Sequence, residues 1–270
     1  GNEDDPSVPI IFRHATPVVT PKREDEDIKH EQLIIAQLFL RGTSLSLVER
    51  ELYSQAHRSP REKSSFVLSD PYGPRKLLTL LSLPPHCPLP LYSSSGKLKL
   101  QRAMVGARFP FLQPTVQAEY LPDRKKVALV RLMSQDQTMR QVIYGQGDVS
   151  LCDGVIGSAM PLDVVLMYAK QIIEAIVFLR FKDVPSVHLH VGNIFVDVDT
   201  HTLRLTDYEN GLLGLPSQLD RFVQLAREHI AKRTPEPVEA DVLCFYHVVH
   251  EMALGYAPGG SPNGKDPLQV

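Results

Sequence analysis

The sequence predicts an α+β chain in two lobes, a small β-rich one followed by a mainly helical one. Three sets of stretches carry that prediction. Residues 77–83 form an apolar run bounded by prolines, and Thr115–Leu121 and 126–133 flank the turn Pro122-Asp123-Arg124; all three read as strands. Residues 161–181 and 239–254 are apolar and long enough for helices. Residues 186–209 read S-V-H-L-H-V-G-N-I-F-V-D-V-D-T-H-T-L-R-L-T-D-Y-E. A polar loop there ends in Asn193, and two short apolar runs, 194–198 and 203–206, flank the turn 199–202. That is the pattern of a hairpin.

Composition narrows the function. The 270 residues are 43% hydrophobic and 22% charged, the proportions of a globular protein able to bury one large core or two lobes. A net charge of −2 gives no electrostatic reason to expect nucleic acid or an anionic membrane surface. Cys87, Cys152 and Cys244 are scattered without metal-type spacing, which suits reduced thiols in the cytosol. No apolar run approaches the roughly 20 residues that span a bilayer, and no signal peptide is expected.

In chain order, residues 1–27 are proline-rich and then strongly charged. The strings R-H-A-T-P (13–17) and R-S-P (58–60) are candidate phosphorylation sites. Residues 28–57 read as two helices. Ile28, Ile35, Leu38 and Phe39 stripe the first, Ser46 with Glu49 forms a capping box for the second, and Leu47, Val48 and Leu52 are its apolar face. The expected organisation is an N-terminal extension with two helices (1–62), a small lobe (63–133) and a partial large lobe (134–270). In the helix 161–181, Pro161 and Asp163 sit in the first turn, and Val165, Ala169, Ile172, Ile173 and Ile176 make the stripe. Residues 218–231 read as a helix with Leu219, Phe222, Val223 and Ala226 on one side. Residues 239–254 are apolar nearly all round, the mark of a buried helix.

The hairpin puts Asn193 just before its first strand and Asp207 just after its second. An amide oxygen and a carboxylate converging there suit a divalent cation such as Mg²⁺. The other reading is structural: Asn193 braces its own loop and Asp207 anchors the segment after the hairpin. His188 and His190 form an H-x-H pair, but a zinc site would need a third ligand that is not evident.

These residues resemble a protein kinase. Kinases carry H-R-D-x-x-x-x-N, a hairpin, then D-F-G. With Asn193 laid on the kinase Asn, Ser186 takes the His position, Val187 the Arg and His188 the catalytic Asp. Asp207, Tyr208 and Glu209 take D-F-G. The resemblance thus keeps both metal-binding positions, replaces the catalytic carboxylate by an imidazole, and replaces the hinge Gly by a charge. It also implies a regulatory helix at 99–108, an interlobe hinge at 134–137, and a structural Asp241 accepting hydrogen bonds from the catalytic-loop backbone. The string H-L-H-x-x-N followed by E-N-x-L-L-G-L-P (209–216) resembles more closely the slowpoke-binding family of kinase-like proteins and its PX-domain-containing relatives. Val270 lies fifteen residues beyond Gly255, so a full set of large-lobe helices is not expected.

The small lobe lacks what phosphoryl transfer needs. No G-x-G-x-x-G and no V-A-I-K-like string occurs; Lys76, Lys97 and Lys99 have the wrong context. No Glu lies between Glu62 and Glu119, so the usual Lys–Glu pair has no carboxylate. The expectation is a pseudokinase with His188 as the degenerate catalytic position and Asn193 and Asp207 as vestigial cofactor or metal residues. No resident cofactor is expected, and ATP with Mg²⁺ is the ligand to test. The resemblance implies a calcium-activated potassium channel of slowpoke type and 14-3-3 adaptors as partners. It also implies a cytoplasmic location with recruitment to the plasma membrane through the channel. The alternatives are a weakly active Ser/Thr kinase using His188, and a nucleotide- or metal-sensing switch without transfer.

Overall fold

A computed structural model describes residues 21–52, 62–134, 136–145, 156–185, 187–232 and 238–258. Ser186 and both candidate phosphorylation strings lie outside them.

The first lobe is built on a five-stranded antiparallel sheet. Its strands are β1 (Ser46–Leu52), β2 (Lys63–Ser69), β3 (Lys76–Ser82), β4 (Thr115–Leu121) and β5 (Lys126–Leu132), in the spatial order β1-β2-β3-β5-β4. Helix α1 (Pro21–Phe39) lies on the outer face. There Ile35, Ala36 and Leu40 pack on Phe66, Leu68, Leu78, Leu80, Ala128 and Val130. Those sheet residues alternate along β2, β3 and β5, because successive side chains leave a strand on opposite faces. Each fully buried Leu or Ile side chain there contributes about 1.5–3 kcal/mol.

Residues 46–52 are a strand, not the predicted second helix. Pairing of Ser46 with Ser69 and Leu47 with Leu68 places the segment at the sheet edge. The sheet supplies partners for its backbone, and that outweighs a local Ser–Glu capping signal. The small-lobe sheet therefore begins at Ser46, ahead of the expected boundary at 63. Helix α2 (Ser94–Met104) begins before the expected 99–108, since the Ser93 hydroxyl caps the Gly96 N–H at 3.1 Å.

A short strand β6 (Gln137–Thr138) leads into helix α3 (Met139–Tyr144), with a capping box between Thr138 and Gln141. Helix α4 (Leu162–Phe181) precedes the hairpin of β7 (Ile194–Asp197) and β8 (Thr202–Leu205), and β6-β7-β8 form a second sheet. Helices α5 (Glu209–Leu213), α6 (Asp220–Ala231) and α7 (Ala240–Leu254) complete the described chain. The Met160 N–H donates to the Met252 carbonyl, while Arg180 at the far end of α4 reaches Asp241. Thus α4 and α7 run antiparallel.

The expected burial of α7 on all sides holds for only part of its surface. Leu243, Cys244, Val248 and Met252 are buried, but Val242 is 56% and Tyr246 46% exposed. On α4 the buried stripe is Val165, Tyr168, Ile172, Ala175 and Leu179, whereas the predicted Ile173 is 47% exposed. Ile173 lines an apolar groove of about 480 Å³ with Val165, Leu166, Ala169, Phe245 and Val249. The two lobes meet through backbone. Leu205 in β8 donates to Phe111 O at 2.9 Å and accepts from Gln113 N at 2.8 Å.

Candidate functional site

The site lies where the hairpin meets the inner face of the first sheet. Ile194 pairs with Leu205, and the Thr206 N–H donates to Asn193 O at 2.9 Å. Asn193 and Asp207 thus sit at the same open end of the hairpin, as their spacing implied.

Both predicted residues have protein partners. The Asn193 amide oxygen accepts the His190 N–H at 2.9 Å, and its NH₂ donates to the His188 carbonyl at 3.1 Å. His190 Nδ1 accepts from the Gly192 N–H. The loop is therefore closed by its own side chains, the bracing role weighed above. His188 is half-buried with φ of 48°, a left-handed conformation costing a non-glycine residue about 1–2 kcal/mol. Among the described residues no group of three His, Cys, Asp or Glu is placed to hold a metal ion.

Asp207 meets Lys63. The Lys63 Nζ lies 2.6 Å from Asp207 Oδ2, with both side chains buried. Lys63 opens β2, and the strand's alternation turns it, with Ser65, to the inner face. Lys76 pairs instead with Asp70, and Lys97 and Lys99 stand exposed on α2. Helix α2, S-S-G-K-L-K-L-Q-R-A-M, carries no carboxylate. The connection from β1 to β2 contains no glycine, since none occurs between Gly42 and Gly73.

A second pair lies beside the first. Arg131 of β5 donates through Nη2 to Glu209 Oε2 at 2.5 Å, and both side chains are buried. Burial alone would lower the Arg131 pKa, but Glu209, helped by Asp207, holds it above its ordinary value. The guanidinium stays charged. Arg131 Nε and Glu209 Oε1 have no hydrogen-bond partner among the described residues, so the pair rests on one contact. Between the pairs, Tyr208 is fully buried, its hydroxyl 3.5 Å from both Gln113 O and Thr115 Oγ1. Burial pushes its pKa up. Asp207 itself has φ of 61°.

Sequence reasoning missed Lys63 and Arg131. A charge inside the apolar run V-A-L-V-R-L-M was the available signal for Arg131, because a buried arginine needs a partner. Nothing local marks Lys63, whose partner is 144 residues away.

Comparison with solved structures decides the fold. The PknI kinase domain of Mycobacterium tuberculosis aligns over 80% of this chain and 76% of its own, at a TM-score of 0.53 and 13% identity. The chain has a protein-kinase fold. Curated relatives are kinase-like as well. A probable inactive serine/threonine-protein kinase of Dictyostelium discoideum, slob2, is 26% identical over 258 residues, 92% of this chain and 43% of that protein. The PX domain-containing protein kinase-like protein of Mus musculus is 34% identical over 139 residues, 50% of this chain and 23% of that protein. The slowpoke-binding protein of Drosophila melanogaster is 27% identical over 190 residues, 67% of this chain and 35% of that protein. No family model matches the chain. The chain spans less than half the length of these relatives. Within the kinase fold, β1 to β5 and α2 form the small lobe, and α4 lies beneath the catalytic-loop position. The Val187 N–H donates to Asp241 at 2.9 Å, the structural role the resemblance implied for that carboxylate.

Proposed function

We propose that this kinase-like chain is a pseudokinase that works by binding other proteins. The observation that carries the reading is the Lys63–Asp207 pair, in which the one carboxylate kept at the metal-binding position is neutralised by a lysine of the same chain. Phosphoryl transfer depends on positioning and charge neutralisation supplied together. Here the catalytic carboxylate position holds His188, the β1–β2 connection has no glycine, and α2 has no carboxylate. The Dictyostelium relative named as inactive supports the same reading.

The partner proposed is a calcium-activated potassium channel of slowpoke type, in keeping with the name of the Drosophila relative, slowpoke-binding protein. A 14-3-3 contact would use phosphorylated Thr16 or Ser59 in the two candidate strings. No helix among the described residues is long and apolar enough to cross a membrane. In this reading the channel partner recruits the chain to the plasma membrane.

Two experiments test the proposal. In a phosphotransfer assay, the wild type and His188→Ala give the same background; activity lost on that substitution overturns the pseudokinase reading. A direct binding measurement with the cytoplasmic part of such a channel returns a saturable complex, and its absence overturns the channel assignment.

A further inference from the structure

The structure assigns a joint role to Lys63 and Arg131, which together latch the 207–209 segment to the small lobe, with the Lys63 ammonium serving as a tethered counter-ion on Asp207. This goes beyond the binding role proposed above and stands whether or not that role holds. In kinases generally, a metal ion and nucleotide phosphates link the D-F-G aspartate to the small lobe. Here three consecutive residues are each gripped by that lobe's own groups. Asp207 meets Lys63 of β2, Tyr208 lies against Gln113 and Thr115, and Glu209 meets Arg131 of β5. Two strands on opposite sides of β3 therefore hold one short segment.

The backbone supports the same reading. Asp207 has a left-handed φ of 61°, a conformation uncommon in non-glycine residues, and it holds this conformation with its side chain buried against Lys63. Leu205, two residues earlier, is already fixed to Phe111 and Gln113. The ammonium lies 2.6 Å from the carboxylate, with both side chains buried, and supplies its counter-charge. The link between the small lobe and residues 207–209 is thus made by the chain's own groups.

Hydrogen exchange read by mass spectrometry tests the latch. Lys63→Met removes the charge at nearly constant volume. Peptides spanning 203–213 should then exchange at least about tenfold faster, while α4 and α7 keep their protection. Lys63→Arg, which retains the cation, should restore most of the protection. Lys63→Met with Asp207→Asn removes both charges, so it avoids stranding a buried carboxylate if the single variant folds poorly; it should still loosen 203–213. Wild-type melting should not move with millimolar Mg²⁺ alone or with ATP. Unchanged exchange in 203–213 would overturn the latch, as would equal loosening of α4 and α7, or a wild-type melting point that rises with Mg²⁺.

Discussion

The Asp241 carboxylate, in the first turn of α7, accepts the Val187 N–H at 2.9 Å and also lies 2.9 Å from the Arg180 guanidinium. One buried side chain thereby ties the catalytic-loop position to two helices. Asp241→Ala leaves the Val187 amide buried without that acceptor. A loss of about 2–3 kcal/mol is expected in urea unfolding. Arg180→Ala should cost less, because that side chain is 41% exposed and water can replace part of its contact.

The Arg131–Glu209 pair should respond asymmetrically. Arg131→Met alone strands a buried carboxylate and should cost about 3–5 kcal/mol. Arg131→Met with Glu209→Met removes both charges and should recover most of that loss. Equilibrium unfolding of the two variants measures the difference; equal losses would mean the charges are not coupled.

Gly96 sets helix propensity against contact. Alanine is favoured over glycine inside a helix by about 1 kcal/mol. A Cβ at Gly96, however, would overlap the Pro90 carbonyl oxygen, a backbone atom that cannot move aside cheaply. Contact should win, and Gly96→Ala should destabilise the chain by about 1–3 kcal/mol in a thermal or urea melt.

Cys244 should resist alkylation. It is buried in α7, and burial with Asp241 and Asp220 nearby pushes its thiol up to about 12. At pH 8 its reaction with iodoacetamide should be slower than that of an unperturbed cysteine by a factor on the order of 1000. Peptide mapping against time measures it, and fast labelling would mean α7 opens readily.

Acid should weaken the end of α7. Burial, with His247 beside it, holds the His250 pKa below its ordinary 6.5, against the Tyr256 carbonyl bond and Glu251, which oppose the shift. The folded chain therefore binds this proton less readily than the unfolded one. The contribution is fully present above about pH 6.5 and falls as pH drops towards the lower folded value. His250→Gln should flatten that part of the stability profile between about pH 7 and 5, measured by urea midpoints at each pH.

Much of the fold was legible in the residues because periodicity and turn chemistry are local. The hairpin, β4, β5, α4 and α6 fall close to their predicted spans, and the placement of Asn193 beside Asp207 follows from hairpin geometry alone. The strand at 46–52 was hidden because an edge strand takes its stability from a neighbour at 66–69, which a Ser–Glu spacing does not report. Lys63 was hidden for the same reason at longer range. Glu209 was legible as a charge where kinases have glycine, but its partner became visible only once the sheet placed Arg131 opposite it.

The back of the small-lobe sheet is roofed by α1, and that roof decides how the protein can be handled. A shortened version starting after Leu40 would bare Phe66, Leu68, Leu78, Leu80, Ala128 and Val130 as one greasy slab. Such a fragment would clump rather than dissolve, so trimming experiments on this chain should keep residues 21–40.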